Sequence, residues 1–185
     1  MELTATIIRD ELVERCKLGD TRGYETLYRN YVKAMYNTSL RIVNNSADAE
    51  DVIQEAFLDA FRSLNDFNYR STFGAWLKKI VINKSINILR KRKMDFVDID
   101  QAGTAWIPEE DGIDEDEIQY KVQEVKKAIQ RLPDGYRAVV TLYLLEGYDQ
   151  EEISEILGIT HNTVRTQYIR AKHRLLFILK EGGLS

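Results

Sequence analysis

Eight positive side chains stand between Tyr69 and Met94 with no acid among them: Arg70, Lys78, Lys79, Lys84, Arg90, Lys91, Arg92 and Lys93. The whole chain carries a formal net charge of -4, so this is a local concentration, and neutralising a phosphate chain explains it well. Aromatic residues lie beside it, Phe67, Tyr69, Phe73 and Trp76, and rings next to a basic track allow unpaired bases to stack. A basic helix end answering its own dipole accounts only for the charges from Arg90 to Lys93. A second basic run, Arg165, Arg170, Lys172, Arg174 and Lys180, again contains no acid from His161 to Lys180. No hydrolytic triad, phosphate loop or metal-ligand spacing is evident, so no catalysis, cofactor or metal is expected. Cys16 is the single cysteine and is expected to be a buried thiol.

The second run belongs to a two-helix unit, Tyr148 to Leu176. Asp149 caps its first helix and Glu152 closes a capping box. Ile153, Ile156 and Leu157 form the apolar face, and Gly158 supplies the left-handed residue that ends the helix. Thr160 is the expected cap of the second helix, where Val164, Tyr168, Ala171 and Leu175 recur at helical spacing. Asn162, Thr163, Arg165, Thr166, Ile169, Arg170 and His173 then lie on the other side. An Ile among polar groups is wasteful in water but fits a thymine methyl. Turn chemistry, phase and charge together describe a helix-turn-helix whose second helix enters a DNA major groove.

The first run sits on a helix expected over residues 72–93 and capped by Ser71. Its stripe begins with Phe73, Trp76 and Ile80 and turns polar at Asn83, Lys84 and Asn87. Three helices precede it. One covers residues 6–18, with Ile8, Leu12 and Cys16 on one side. The next covers 22–43, with Tyr24, Leu27, Tyr28, Tyr31, Val32, Met35 and Tyr36 on its face; at this spacing the tyrosines are core with wet hydroxyls rather than a base-stacking platform. The third runs from Asp48 to Leu64, with Asp51, Gln54, Glu55, Leu58 and Arg62 outside, either a solvated face or a docking surface.

Two prolines and ten glycines in 185 residues leave little room for an all-β design. The expected fold class is all-α: two helical domains, residues 1–94 and 118–185, joined by an acidic flexible linker over residues 95–117, with a C-terminal helix-turn-helix. That linker holds ten acids and no base. Ile118, Val122, Val125, Ile129 and Leu132 mark the helix after it, stopped at Pro133-Asp134-Gly135, and Tyr136 to Glu146 forms another. The longest apolar run, around Val139 to Leu145, is too short to span a membrane, and no signal peptide is visible, so a cytoplasmic location without membrane insertion is expected.

The stretches DAEDVIQEAFLDAFRSL (48–64), STFGAWLKKIVINKSINILRKRK (71–93), LPDGYRAVVTLYLLEGYDQEEISEILGIT (132–160) and NTVRTQYIRAKHRL (162–175) resemble, in order and spacing, the bacterial sigma factors, and among them the two-domain extracytoplasmic-function type. The resemblance implies a transcription initiation factor without catalysis of its own, with core RNA polymerase and promoter DNA as partners. It implies that Asp51, Gln54, Glu55, Leu58 and Arg62 dock on the polymerase. Phe67, Asn68, Tyr69, Arg70, Ser71 and Thr72 match the segment that pockets a base flipped from the minus-ten element. Trp76, Lys79, Asn83, Lys84 and Asn87 belong to the same minus-ten surface. Asn162, Thr163, Arg165, Thr166, Ile169, Arg170 and His173 match the reader of the minus-thirty-five element. By analogy an anti-sigma factor is a further partner. Three positions depart from relatives: Leu77 stands where housekeeping members carry an aromatic, Asn87 where many carry a carboxylate, and Gln167 where many carry a base. The rival from the residues alone is a stand-alone helix-turn-helix regulator with an N-terminal sensor domain, which leaves the basic segment after Tyr69 unexplained.

Overall fold

The computed structural model describes residues 10–92 and 122–182. The acidic linker, the expected helix start at residues 6–9, and Ile118 lie outside them. All regular structure among the described residues is helical. They fall into two compact units, the first running to Ile88 and the second carrying the helix-turn-helix.

In the first unit α1 is Glu11–Lys17, α2 Thr21–Val43, α3 Ser46–Arg62 and α4 Phe73–Lys91, with a single 3₁₀ turn at Leu64–Asp66 before α4. Caps fix the starts. Asp10 accepts from the amides of Leu12 and Val13, so α1 begins at Glu11. Asn45 Oδ1 accepts from Asp48 N at 3.0 Å, which opens α3 at Ser46, two residues earlier than Asp48. Thr72 rather than Ser71 caps α4: its Oγ1 accepts from Ala75 N at 3.2 Å. Two adjacent hydroxyls compete there, and the backbone brings only the second over the free amides.

The core gathers Val13 and Cys16 of α1, Leu27 and Met35 of α2, Val52, Ile53, Ala56 and Phe57 of α3, and Phe73, Leu77 and Val81 of α4. The tyrosines of α2 pack edge-on as expected, Tyr24 on Phe61 with ring centres 4.9 Å apart, Tyr28 on Phe57 at 4.8 Å and Tyr31 on Phe73 at 5.3 Å. Helices α1 and α2 approach closely at Gly23, where a β-carbon would lie 2.8 Å from Cys16 Sγ. Burial, with Asp20 nearby, pushes the Cys16 thiol up from its ordinary range, so it stays protonated and unreactive.

In the second unit α5 is Val122–Gln130, α6 Asp134–Val140, α7 Gln150–Leu157 and α8 His161–Gly182. Helix α6 starts directly after Pro133, earlier than the expected Tyr136, and passes into a π-helical turn at Thr141–Leu145. Arg137, 3% exposed, closes the α5–α6 corner by donating to Leu132 O at 2.8 Å and to the Asp134 carboxylate. Ala128, Ile129, Leu132 and Val140 pack against Ala171, Leu175, Ile178 and Leu179 of α8.

Candidate nucleic-acid and docking surfaces

On α3 all five outward residues are exposed: Asp51, Gln54, Glu55, Leu58 and Arg62. Leu58 is 53% exposed, a branched apolar chain left in water among charges. Glu55 is not independent of α4. Lys84 Nζ sits 3.2 Å from Glu55 Oε2 and 2.6 Å from Asp59 Oδ2, which joins the polar outer edge of α3 to the basic stripe. The bond to Asp59 holds the Lys84 ammonium pKa above its ordinary value, and the same contact draws the Asp59 carboxyl below its own. Lys84 is therefore charged but already answered by two carboxylates, so its positive charge is not wholly available to a phosphate.

Residues 67–72 do not all face outward. Phe67 is 3% exposed and belongs to the core, its ring centre 4.6 Å from Tyr69, 5.2 Å from Trp76 and 6.0 Å from Phe73. Of the expected minus-ten loop, Phe67 is thus the residue whose surface is spent on three other rings. Asn68, Arg70, Ser71 and Thr72 are exposed and Tyr69 is half-buried. Asn68 Oδ1 accepts from Arg70 N at 3.2 Å, an Asx turn that shapes the loop tip. Tyr69 has φ 62°, a left-handed conformation rare for a bulky side chain.

Along α4, Lys79, Asn83 and Asn87 are exposed and Trp76 is half-buried against Phe67 and Phe73. Trp76, Asn83 and Asn87 therefore share a water-facing stripe beside the loop, as their spacing requires. Leu77 is fully buried. It is a packing residue of the first unit's core.

On α7 the capping box is complete: Glu152 N donates to Asp149 Oδ1 at 2.8 Å, and Asp149 N to Glu152 Oε2 at 3.0 Å. Gly158 ends the helix at φ 66°, and Thr160 Oγ1 accepts from Thr163 N at 3.1 Å to start α8. Of the expected readers, Asn162, Arg165 and His173 are exposed, while Thr163, Thr166, Ile169 and Arg170 are half-buried. Two hydroxyls have local partners. Thr163 Oγ1 lies 2.8 Å from Thr160 Oγ1, and Thr166 Oγ1 donates to Asn162 O at 2.9 Å. Gln167 is 4% exposed, with Oε1 lacking a partner among the described residues, so it does not stand on the reading face. Its place was visible in the sequence: it follows Val164 by three and lies at the edge of the apolar stripe.

The residues that sequence reasoning missed are on α1. Lys17 Nζ donates to Phe67 O at 2.8 Å and sits 4.8 Å from the Tyr69 ring centre, while Tyr69 OH donates to Glu14 Oε1 at 2.6 Å. No local pattern signals contacts made across fifty residues of chain or more. Among the described residues no group of three metal-ligating side chains comes together, and no helix is long and apolar enough to cross a membrane.

Comparison with known proteins matches two families to the two units. Sigma-70 region 2 covers residues 27–94 and Sigma-70, region 4 covers residues 122–175. The chain is similar to the ECF RNA polymerase sigma factor SigW of Bacillus subtilis, 30% identical over 175 residues, covering 88% of this chain and 92% of that one. It is also similar to the RNA polymerase sigma-H factor of Pseudomonas aeruginosa, 32% identical over 177 residues, covering 89% and 90% respectively. In fold it resembles the sigma factor RpoE of Bartonella quintana, solved with the anti-sigma factor NepR. That match has a TM-score of 0.55 at 24% identity and covers 86% of this chain and 98% of that one.

Proposed function

Since the chain belongs to the RNA polymerase sigma factors of the extracytoplasmic-function type, we propose that it reads the minus-ten and minus-thirty-five promoter elements for core polymerase and stabilises the opened strand of the first. The polymerase supplies the chemistry. Asp51, Gln54, Leu58 and Arg62 dock on it, with Glu55 at the edge where Lys84 is held. Asn68, Arg70, Ser71 and Thr72 with Trp76, Lys79, Asn83 and Asn87 receive the minus-ten strand, and the buried Phe67 floors that loop. Asn162, Arg165 and His173, with Ile169 and Arg170 at the edge, meet the minus-thirty-five duplex; Thr163 and Thr166 shape the turn they stand on.

One observation carries this reading. The unit matched to region 2 presents half-buried Trp76 and exposed Asn83 and Asn87 on one stripe beside an exposed loop that carries Arg70, a surface fitted to a strand without its complement. A groove-reading regulator has no use for it. An anti-sigma factor is the expected second partner, by analogy with the Bartonella quintana sigma factor, which was solved with one. The test is to add the purified chain to core polymerase and map transcript starts across host DNA. New starts that share two spaced elements support the reading. Unchanged initiation, with duplex binding by the chain alone, would leave the stand-alone regulator.

A further inference from the structure

Tyr69 holds a left-handed backbone at φ 62° that a bulky side chain adopts only when its surroundings impose it. The surroundings here are α1. Lys17 bonds the carbonyl of Phe67 at 2.8 Å and lies over the Tyr69 ring at 4.8 Å. Glu14 accepts the Tyr69 hydroxyl at 2.6 Å and pairs with Lys17 at 3.4 Å. Lys17 is largely shielded, with a side chain 18% exposed. Two residues of one helix therefore grip both sides of the loop's turn, through its main chain and through its side chain.

We propose that Glu14 and Lys17 of α1 are positioning residues for strand capture: they hold Tyr69 in its left-handed turn and so set the direction in which Asn68 and Arg70 to Thr72 face the unpaired strand. This rests on the reading of that loop as the strand-receiving one. The ordering cost of a free loop is met in advance, so the strand meets a formed surface instead of shaping one. Helix α1 lies outside the region 2 match, which begins at residue 27, so the brace ties that match to an element before it.

The experiment uses holoenzyme built with wild type, Tyr69→Phe, Glu14→Ala and Glu14→Gln. The probes are a labelled single-stranded oligonucleotide carrying the minus-ten sequence found by start mapping, and a duplex carrying the upstream element. Tyr69→Phe and Glu14→Ala should weaken hold on the single strand about tenfold, the scale of a lost bond to a charged group. Duplex binding should stay as in wild type, and both proteins should remain folded at the assay temperature, with melting lowered by no more than several degrees. Glu14→Gln should restore most of the affinity, since its amide oxygen still accepts. Equal single-strand affinity in all four proteins would overturn the brace. So would a loss confined to Tyr69→Phe, which would make the hydroxyl a direct contact. If Glu14→Ala does not fold, Lys17→Met takes its place, since it removes the bond to Phe67 O, and a loss shared with Tyr69→Phe supports the brace while a loss confined to Tyr69→Phe overturns it. A wild-type holoenzyme that holds no single strand would instead remove the strand-capture reading, and the brace with it.

Discussion

Replacing Phe67 with alanine separates two roles for this ring. In the structure it is 3% exposed and touches the rings of Tyr69, Trp76 and Phe73. An aromatic side chain buries roughly 150–250 Å². At about 25 cal/mol per Å² that is ~4–6 kcal/mol of transfer free energy, an upper figure because the unfolded chain already hides part of it. Measured Phe→Ala losses in cores run about 3–5 kcal/mol. Phe67 follows a 3₁₀ turn and is not held in a long helix, so the site can partly collapse, and the low end, ~3 kcal/mol, is expected. For a unit of this size the melting temperature should fall by roughly 12–24 °C. Urea unfolding followed by circular dichroism and by Trp fluorescence gives the value, with exposed Lys79→Ala as a control expected within about 0.5 kcal/mol of wild type. Phe67→Leu should lose only about 1 kcal/mol and keep the same transcript starts, because a core position asks for volume and not for a π face. A loss below about 1 kcal/mol in Phe67→Ala would refute the core assignment, as would a stable Phe67→Leu that no longer selects starts. Either result would put the ring out in the strand.

Arg165→Ala and Arg170→Ala should each weaken binding to the upstream duplex by about 1–3 kcal/mol if the guanidinium meets a base edge, and a titration at fixed salt measures it. Unchanged affinity would remove that arginine from the reading set. Asp51→Lys should lower affinity for core polymerase while leaving the helical circular dichroism spectrum intact; it is a cleaner probe than Glu55, whose reversal would also repel Lys84. The Asp59 carboxyl is drawn below its ordinary range by Lys84, so its contribution to stability is full above the unfolded carboxylate pKa and disappears as pH falls through the lowered one. Thermal unfolding of wild type and Asp59→Asn should therefore differ from pH 5 to 8, and the gap should shrink as pH falls below the ordinary carboxylate range of about 3.9; a gap that stays constant into that acid range would break the assignment.

Caps and periodicity were legible because they are local. Asp149, Glu152, Gly158 and Thr160 occupy the positions their chemistry demands, and the tyrosines of α2 pack where a 3.6-residue period puts them. The loop was not legible in the same way. Between helices no period says which ring turns inward, so Phe67 and Tyr69 look alike in sequence and part company only when Phe73 and Trp76 arrive from α4 to bury Phe67. Lys84 shows a related limit: a cation on a basic stripe gives no sign that Glu55 and Asp59 of another helix will answer it. Gln167 and Leu77 are different, since helical spacing already set both near apolar stripes and only comparison with relatives drew attention elsewhere.

The near-contact of Gly23 with Cys16 couples the mutational tolerance of two positions. A methyl group at residue 23 needs space that the sulfur occupies, 2.8 Å away. Gly23→Ala alone should thus be harmful, Cys16→Ala alone should leave a small void, and the two together should recover much of either loss, as knob and hole exchange places. The chain can drift along that pair only by changing both partners.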